Sequence, residues 1–166
     1  FHLGYFTKFG QTSWPCRGDE FGSQWADGSY HMELARMLEA AKFDFVLFED
    51  TVMVADRYGS SKELDLKHAV LSPKNDPSTL LPLMAQGTSH IGLIATASTT
   101  FYPPYLLARL FSTVASLTGG RAGWNIVTSS ETNAAANFGM DKLLPPTVRY
   151  DIADEYVELA NKLWDS

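Results

Sequence analysis

Polar side chains that could hold a phosphate-bearing ligand cluster in one stretch, Thr118 to Gly139, TGGRAGWNIVTSSETNAAANFG. A Gly119-Gly120 turn leads into a short apolar segment, Arg121 to Val127, with Asn125 in its middle. That segment then delivers Thr128, Ser129 and Ser130 at its C-terminal end. Hydroxyls and free backbone N–H groups at the C-terminal edge of a parallel sheet are a common phosphate cradle. A plain strand followed by a solvated loop would give the same pattern. Asn125 sharpens the choice. Asn is disfavoured inside a strand. If it faces an interior it needs partners, which a ligand can supply.

Other strand ends carry candidates too. Asp50 closes an apolar run, where a turn or helix-capping aspartate is the alternative. Thr96, with Ser98, Thr99 and Thr100, ends another; threonine is a good strand former, so a structural role is equally natural. Tyr150 follows Arg149 at the start of the last helical pattern, where packing is the alternative. The histidines, His2, His31, His68 and His90, show no H-x-H or H-E-x-x-H spacing, so spacing gives no metal site. There is no P-loop and no G-x-S-x-G.

The elements that must position these residues alternate. Strand-like runs occupy Phe1 to Phe6, Phe43 to Phe48, Ile91 to Ala97 and Arg121 to Val127. Helical patterns lie between them. Asp27 is placed to cap the first, with Tyr30, Leu34, Met37, Leu38 and Ala41 on one face. Asp76-Pro77 starts the second and Gly87 can end it. Pro103-Pro104 opens the third, with Leu106, Leu107, Leu110, Phe111, Val114 and Leu117 facing a core. The last follows Pro145-Pro146 and carries Ile152, Tyr156, Leu159, Ala160 and Leu163. This alternation implies parallel βαβ units with right-handed crossovers.

Two architectures satisfy it: an open doubly wound sheet, or the first half of a (β/α)8 barrel. The first βα turn has a single Gly and no G-x-G-x-x-G, against a dinucleotide-binding sheet. A full barrel needs roughly 250 residues, more than the 166 present. The loops after the first two strands are long, Thr7 to Ala26 and Asp50 to Asn75. Both lie where barrel active sites are built.

Composition narrows the class further. The chain is 45% hydrophobic with a net charge of −6. That suits a core-forming domain and gives no electrostatic reason to expect nucleic acid or a membrane surface. No apolar stretch approaches the ~20 residues of a transmembrane helix, and no signal-peptide pattern is visible. The single cysteine, Cys16, cannot form an internal disulfide, so a reducing, cytoplasmic setting is expected.

The chain resembles the flavin-dependent monooxygenases of the bacterial luciferase-like superfamily. Within them it is most similar to the nitrilotriacetate and dibenzothiophene-sulfone monooxygenase branch. The matching segments are HLGYF at 2–6, KFDFVLFED at 42–50, the run 95–129, NFG at 137–139 and RYDIADEYVELANKLWDS at 149–166. The resemblance implies the N-terminal half of one (β/α)8 barrel, residues 1–166, incomplete without further polypeptide from the same or another chain. It implies reduced FMN supplied by an NAD(P)H:flavin reductase, with O2 as co-substrate. One oxygen atom would enter a small sulfur- or nitrogen-containing organic substrate. A homo-oligomer is expected.

Carried over by position, Asp50 and Thr96 flank the flavin ring, with Asn125 on the same face. Ser129 and Tyr150 match phosphate-holding residues. No residue is assigned as catalytic base. Phe6, Phe48, Trp124 and Phe101 are expected to wall the pocket with aromatics. One departure stands out: where close relatives commonly place a histidine beside the flavin, this chain has Pro146. Other readings are a non-catalytic flavin-binding or half-barrel interaction subunit and, disfavoured by the motif match, a deazaflavin enzyme.

Overall fold

The computed structural model describes residues 1–10, 24–56 and 58–166. Cys16 and most of the first long loop lie outside the described residues. Four strands form one sheet: β1 (Gly4–Lys8), β2 (Phe45–Glu49), β3 (Gly92–Ser98) and β4 (Ala122–Val127). Their order is β1-β2-β3-β4 and every neighbouring pair is parallel. Sequential neighbours joined by crossovers of one hand put every helix on the same face. A doubly wound sheet would reverse its strand order, so the barrel-type alternative holds.

Four helices follow the expected pattern: α1 (Ser29–Ala40), α3 (Leu80–Ala85), α4 (Pro104–Leu117) and α6 (Pro146–Trp164). Two short ones, α2 (Glu63–Lys67) and α5 (Thr132–Asn137), are additions that no long apolar periodicity announces. Asp76 caps a 3-10 turn over Pro77–Thr79, and its side chain accepts the Ser78 N–H. Asp27 serves α1 one residue further out than expected. Gly28 is the N-cap, with φ 77°, and Asp27 Oδ1 accepts from both Ser29 N–H and Oγ.

The core lies between the sheet and the helices. Val46, Phe48, Leu93, Ala95 and Ala97 point into it and meet Ala35, Leu38, Leu81, Met84, Leu107 and Phe111. Each fully buried Leu or Phe here contributes about 1.5–3 kcal/mol. The helix faces differ from the sequence expectation by about one position. In α1, His31, Ala35 and Leu38 are buried, while Met37 is exposed. In α4, Leu106 and Leu117 are exposed and Ala108 is buried instead. In α6, Arg149, Ala153, Tyr156 and Ala160 face inward and Ile152 and Leu159 outward. Small residues set the closest approach, so alanines take positions that a count of large apolar residues assigns to leucines.

The opposite face of the sheet is open. Register pairs Phe6 with Leu47, Leu47 with Ile94 and Ile94 with Gly123, one layer across all four strands. The next layer toward the C-terminal ends holds Lys8 and Glu49, then Thr96 and Asn125. At the strands' N-terminal end Arg121 fixes the frame. Its Nε donates to Thr118 O, Nη1 to Ile91 O and Thr88 Oγ1, and Nη2 to Ala85 O and Thr88 O.

Candidate functional site

At the C-terminal ends of β3 and β4 the hydroxyls sort into two groups. Thr99 Oγ1 and Thr100 Oγ1 donate to the carbonyls of Val127 and Thr128, so both knit the rim together. Thr96 is different. It is buried, donates to Phe48 O at 2.7 Å, and accepts from Asn125 Nδ2 at 2.8 Å. Threonine bonded on both sides holds the Asn125 amide in one orientation. The amide oxygen and second amide proton are left toward the open face.

Ser129 sits in the left-handed backbone region, φ 60°. Its Oγ donates to Ser98 Oγ at 2.8 Å, and Ser98 Oγ also accepts the Thr100 N–H. Ser98 thereby keeps its own proton to donate. Tyr150 lies in the first turn of α6. It is exposed and has no hydrogen-bond partner among the described residues. Arg149 beside it is buried and donates through Nη1 to Leu144 O, which ties the loop before α6 to the helix.

Asp50 stands apart from the Thr96–Asn125 pair. It borders a cleft of about 630 Å³ between the segment after β2 and the start of α4. Burial, reinforced by the negative charges of Asp76 and Glu49, pushes its carboxyl up to about 6, while Lys74 pulls the other way. Tyr102 faces the same cleft, and burial followed by Asp76 and Asp50 pushes its phenol up to about 12. It stays protonated at any physiological pH.

The segment forming the cleft wall is tied at both ends. Near its start, Asn137 Nδ2 donates to Val52 O. At its end, Lys74 Nζ donates to Glu49 Oε1 at 2.7 Å and Thr51 Oγ1 at 2.9 Å, and Asn75 N–H donates to Phe9 O. Gly10 opposite Lys74 has to be glycine-small, because a Cβ there would lie 2.9 Å from Pro73 O.

Sequence reasoning missed Lys74, Glu49, Tyr102 and Asn137 as site residues. Tyr102 stands in a Tyr-Pro-Pro-Tyr run that could have drawn notice. The Lys74–Glu49 pair spans 25 residues and leaves no local signal.

The aromatic wall needs correction. Phe48 is fully buried in the helix-side core against His31, with ring centroids 5.7 Å apart. Trp124 packs among Phe111, Tyr156 and Trp164 and donates Nε1–H to Ala97 O. Neither reaches the open face. Phe6, 68% exposed and in register with Leu47, does. Phe101 stacks on Phe138 at 4.3 Å beyond the strand ends.

Against known proteins, the luciferase-like monooxygenase family model matches residues 1–166. The long-chain alkane monooxygenase of Geobacillus thermodenitrificans is 44% identical over 142 residues, covering 86% of this chain and 32% of its own length. The dibenzothiophene-sulfone monooxygenase of Rhodococcus erythropolis is 40% identical over 154 residues, covering 90% and 33%. A crystal structure of a long-chain alkane monooxygenase superposes with a TM-score of 0.91 at 39% identity, over 98% of this chain and 38% of that one. The chain therefore spans about a third of the length of the curated relatives it matches. No helix among the described residues is long and apolar enough to cross a membrane.

Proposed function

The chain belongs to the luciferase-like monooxygenases, and from that premise we propose that it forms part of an FMNH2-dependent monooxygenase. Completed by further polypeptide, it would insert one atom of O2 into a small organic substrate. A separate NAD(P)H:flavin reductase would supply the reduced cofactor. The single observation that carries the reading is the Thr96–Asn125 pair. It presents an oriented amide on the open face at the strand ends, where a flat heteroaromatic ring with alternating donors and acceptors can be hydrogen-bonded.

The donor set fits FMN. Asn125 offers an acceptor and a donor to a ring edge, and Asp50 offers a carboxyl that exchanges its proton near pH 6. Ser129, Ser98 and Tyr150 supply hydroxyls for a phosphate, and the exposed Tyr150 hydroxyl has no partner among the described residues. When bound, the flavin activates oxygen; the chain's own residues hold the ring, shield it and keep water out. Phe6 on the open face and the Phe101–Phe138 stack provide apolar shielding.

Two open features support the need for further polypeptide. Among the described residues, strands β1 and β4 each pair on one side only, an edge that natural sheets cover or close. Val148, Ile152 and Leu159 also form an exposed apolar stripe on α6.

A second reading has its own observation. Pro146, at the first turn of α6, has no side-chain hydrogen-bonding atom, where the family resemblance implies a histidine beside the flavin. That favours flavin binding without oxygenation. Incubation of the complete protein with flavin reductase, NADH and labelled oxygen separates the two. Labelled oxygen in product from a panel of sulfides, sulfones, amines and alkanes is the expected result. FMN binding with no labelled product from any of them establishes the second reading. For the phosphate, Ser129→Ala and Tyr150→Phe should each weaken FMN binding by roughly 10- to 150-fold, the worth of one hydrogen bond to a charged group. Unchanged titrations in both would refute that contact set.

A further inference from the structure

We propose that the cleft between the segment after β2 and Tyr102 is a substrate pocket for largely apolar molecules with one hydrogen-bond acceptor, and that it rejects carboxylates. The inference rests on the monooxygenase reading for the word substrate, and on the cleft itself for the chemistry.

The cleft, at about 630 Å³, lies within the range that holds drug-sized ligands. Thr96, Asn125, Ser129 and Tyr150 do not line it. It is a neighbour of the open face rather than part of it, and Asp50 is on its border. One wall is apolar, built from Val52, Met53, Val54, Leu66 and Leu71. The other end is polar and its charges are unbalanced. Among the described residues lining the cleft, Lys74 is the only cation. It is already engaged by Glu49 Oε1 and Thr51 Oγ1, with its side chain only 7% exposed. Asp50 and Asp76 face the same space. Burial raises the Tyr102 phenol, and their charges add to it.

A carboxylate entering here meets two acids and, among the described residues lining the cleft, no cation that is not already paired. A neutral ligand meets apolar surface and the Tyr102 hydroxyl, which remains protonated and can donate to a sulfone, sulfoxide, ether or hydroxyl oxygen.

Isothermal titration of the complete protein, with and without FMN, tests this with three probes of one shape. They are benzyl methyl sulfone, its para-carboxylate and its para-aminomethyl derivative, at pH 8. Like charges several Å apart at a surface dielectric weaken binding by about tenfold or more. The neutral sulfone should therefore bind at least about tenfold more tightly than the carboxylate, while the ammonium probe should show no such penalty. Asp76→Asn, which keeps an acceptor for the Ser78 cap, should narrow the carboxylate gap to about threefold. Raising salt from 50 to 300 mM should narrow it in the unmodified protein, because exposed charges are screened over a few Å at that strength.

Equal or tighter binding of the carboxylate probe than of the neutral one overturns the proposal. So does absence of binding by all three while FMN titrates normally, an outcome that leaves the monooxygenase reading intact. Rejection of the carboxylate alone with no FMN binding supports the cleft and removes the flavin reading instead.

Discussion

Replacing Asp50 by asparagine should stabilise the protein at neutral pH. The reason is that its buried carboxyl is ionised at a cost. An aspartate ordinarily titrates at 3.8, and in the folded protein this one titrates at about 6. The folded state therefore binds the proton more tightly than the unfolded state does. The contribution is complete below about pH 4 and is lost as pH rises from about 4 to about 6. Two pKa units correspond to about 2.7 kcal/mol at most. The group is partly exposed, and solvent screening reduces the figure to about 1–2 kcal/mol. Asparagine keeps the shape and carries no charge to desolvate, so its advantage should appear across that window and stay flat above it. The shift in melting temperature per kcal/mol falls as a chain grows, and for a protein about three times this length it is about 1–2 °C, so Asp50→Asn should raise the melting temperature at pH 7.5 by roughly 1–4 °C. Urea unfolding of the complete wild-type and variant proteins at pH 3.5 and 7.5 measures the effect. A variant no more stable than wild type at pH 7.5 refutes the reasoning. So does a variant whose advantage persists undiminished at pH 3.5.

Arg121→Met should cost about 3–5 kcal/mol, because four buried carbonyls and a hydroxyl lose their donors together; Arg121→Lys should recover only part of that, since an ammonium offers three donors in a different geometry. Chemical denaturation checks both, and a lysine variant equal to wild type would show that the fork is dispensable. Lys74→Met should cost about 3–5 kcal/mol by stranding Glu49, and adding Glu49→Leu should restore most of it, which a double-mutant cycle reads directly. Asn125→Ala should weaken FMN binding by roughly tenfold and raise hydrogen peroxide released per NADH in the coupled assay; unchanged affinity and coupling would remove Asn125 from the site.

The four strands and the main helices were legible because apolar runs bounded by Gly and Pro change period from 2 to 3.6 along the chain. The strand-end position of Asp50, Thr96, Asn125 and Ser129 was legible for the same reason. Their partners were not. Whether Asn125 meets Thr96 depends on the register of β4 against β3, and register is a tertiary property. The aromatic wall shows where one-dimensional reading contradicts itself. Side chains alternate along a strand, so Trp124 and Asn125 cannot both face the ligand. Placing Asn125 on the open face already sends Trp124 to the helices. The helix faces were misread at Met37, Leu106, Ile152 and Leu159, because size was taken as a sign of burial. Asp50's raised pKa comes first from burial, with Asp76, 26 positions later, adding to it, and no window along the sequence shows either.

Arg121 has a consequence for how such a chain tolerates change. The guanidinium secures the strands at their N-terminal ends, and six residues of β4 carry Asn125 and its neighbours to the other end. At about 3.3 Å per residue, Asn125 lies roughly 13 Å along the strand from Arg121. That is beyond the roughly 7–10 Å over which substitutions usually couple. Variation at the rim and integrity at the base are then nearly independent quantities. A mutagenesis library confined to Val52, Met53, Val54, Leu66 and Tyr102 would sample new ligand preferences over an almost constant folding background. The same number of substitutions spread toward Thr88 and Thr118 would lose most of its members to misfolding before any ligand was offered.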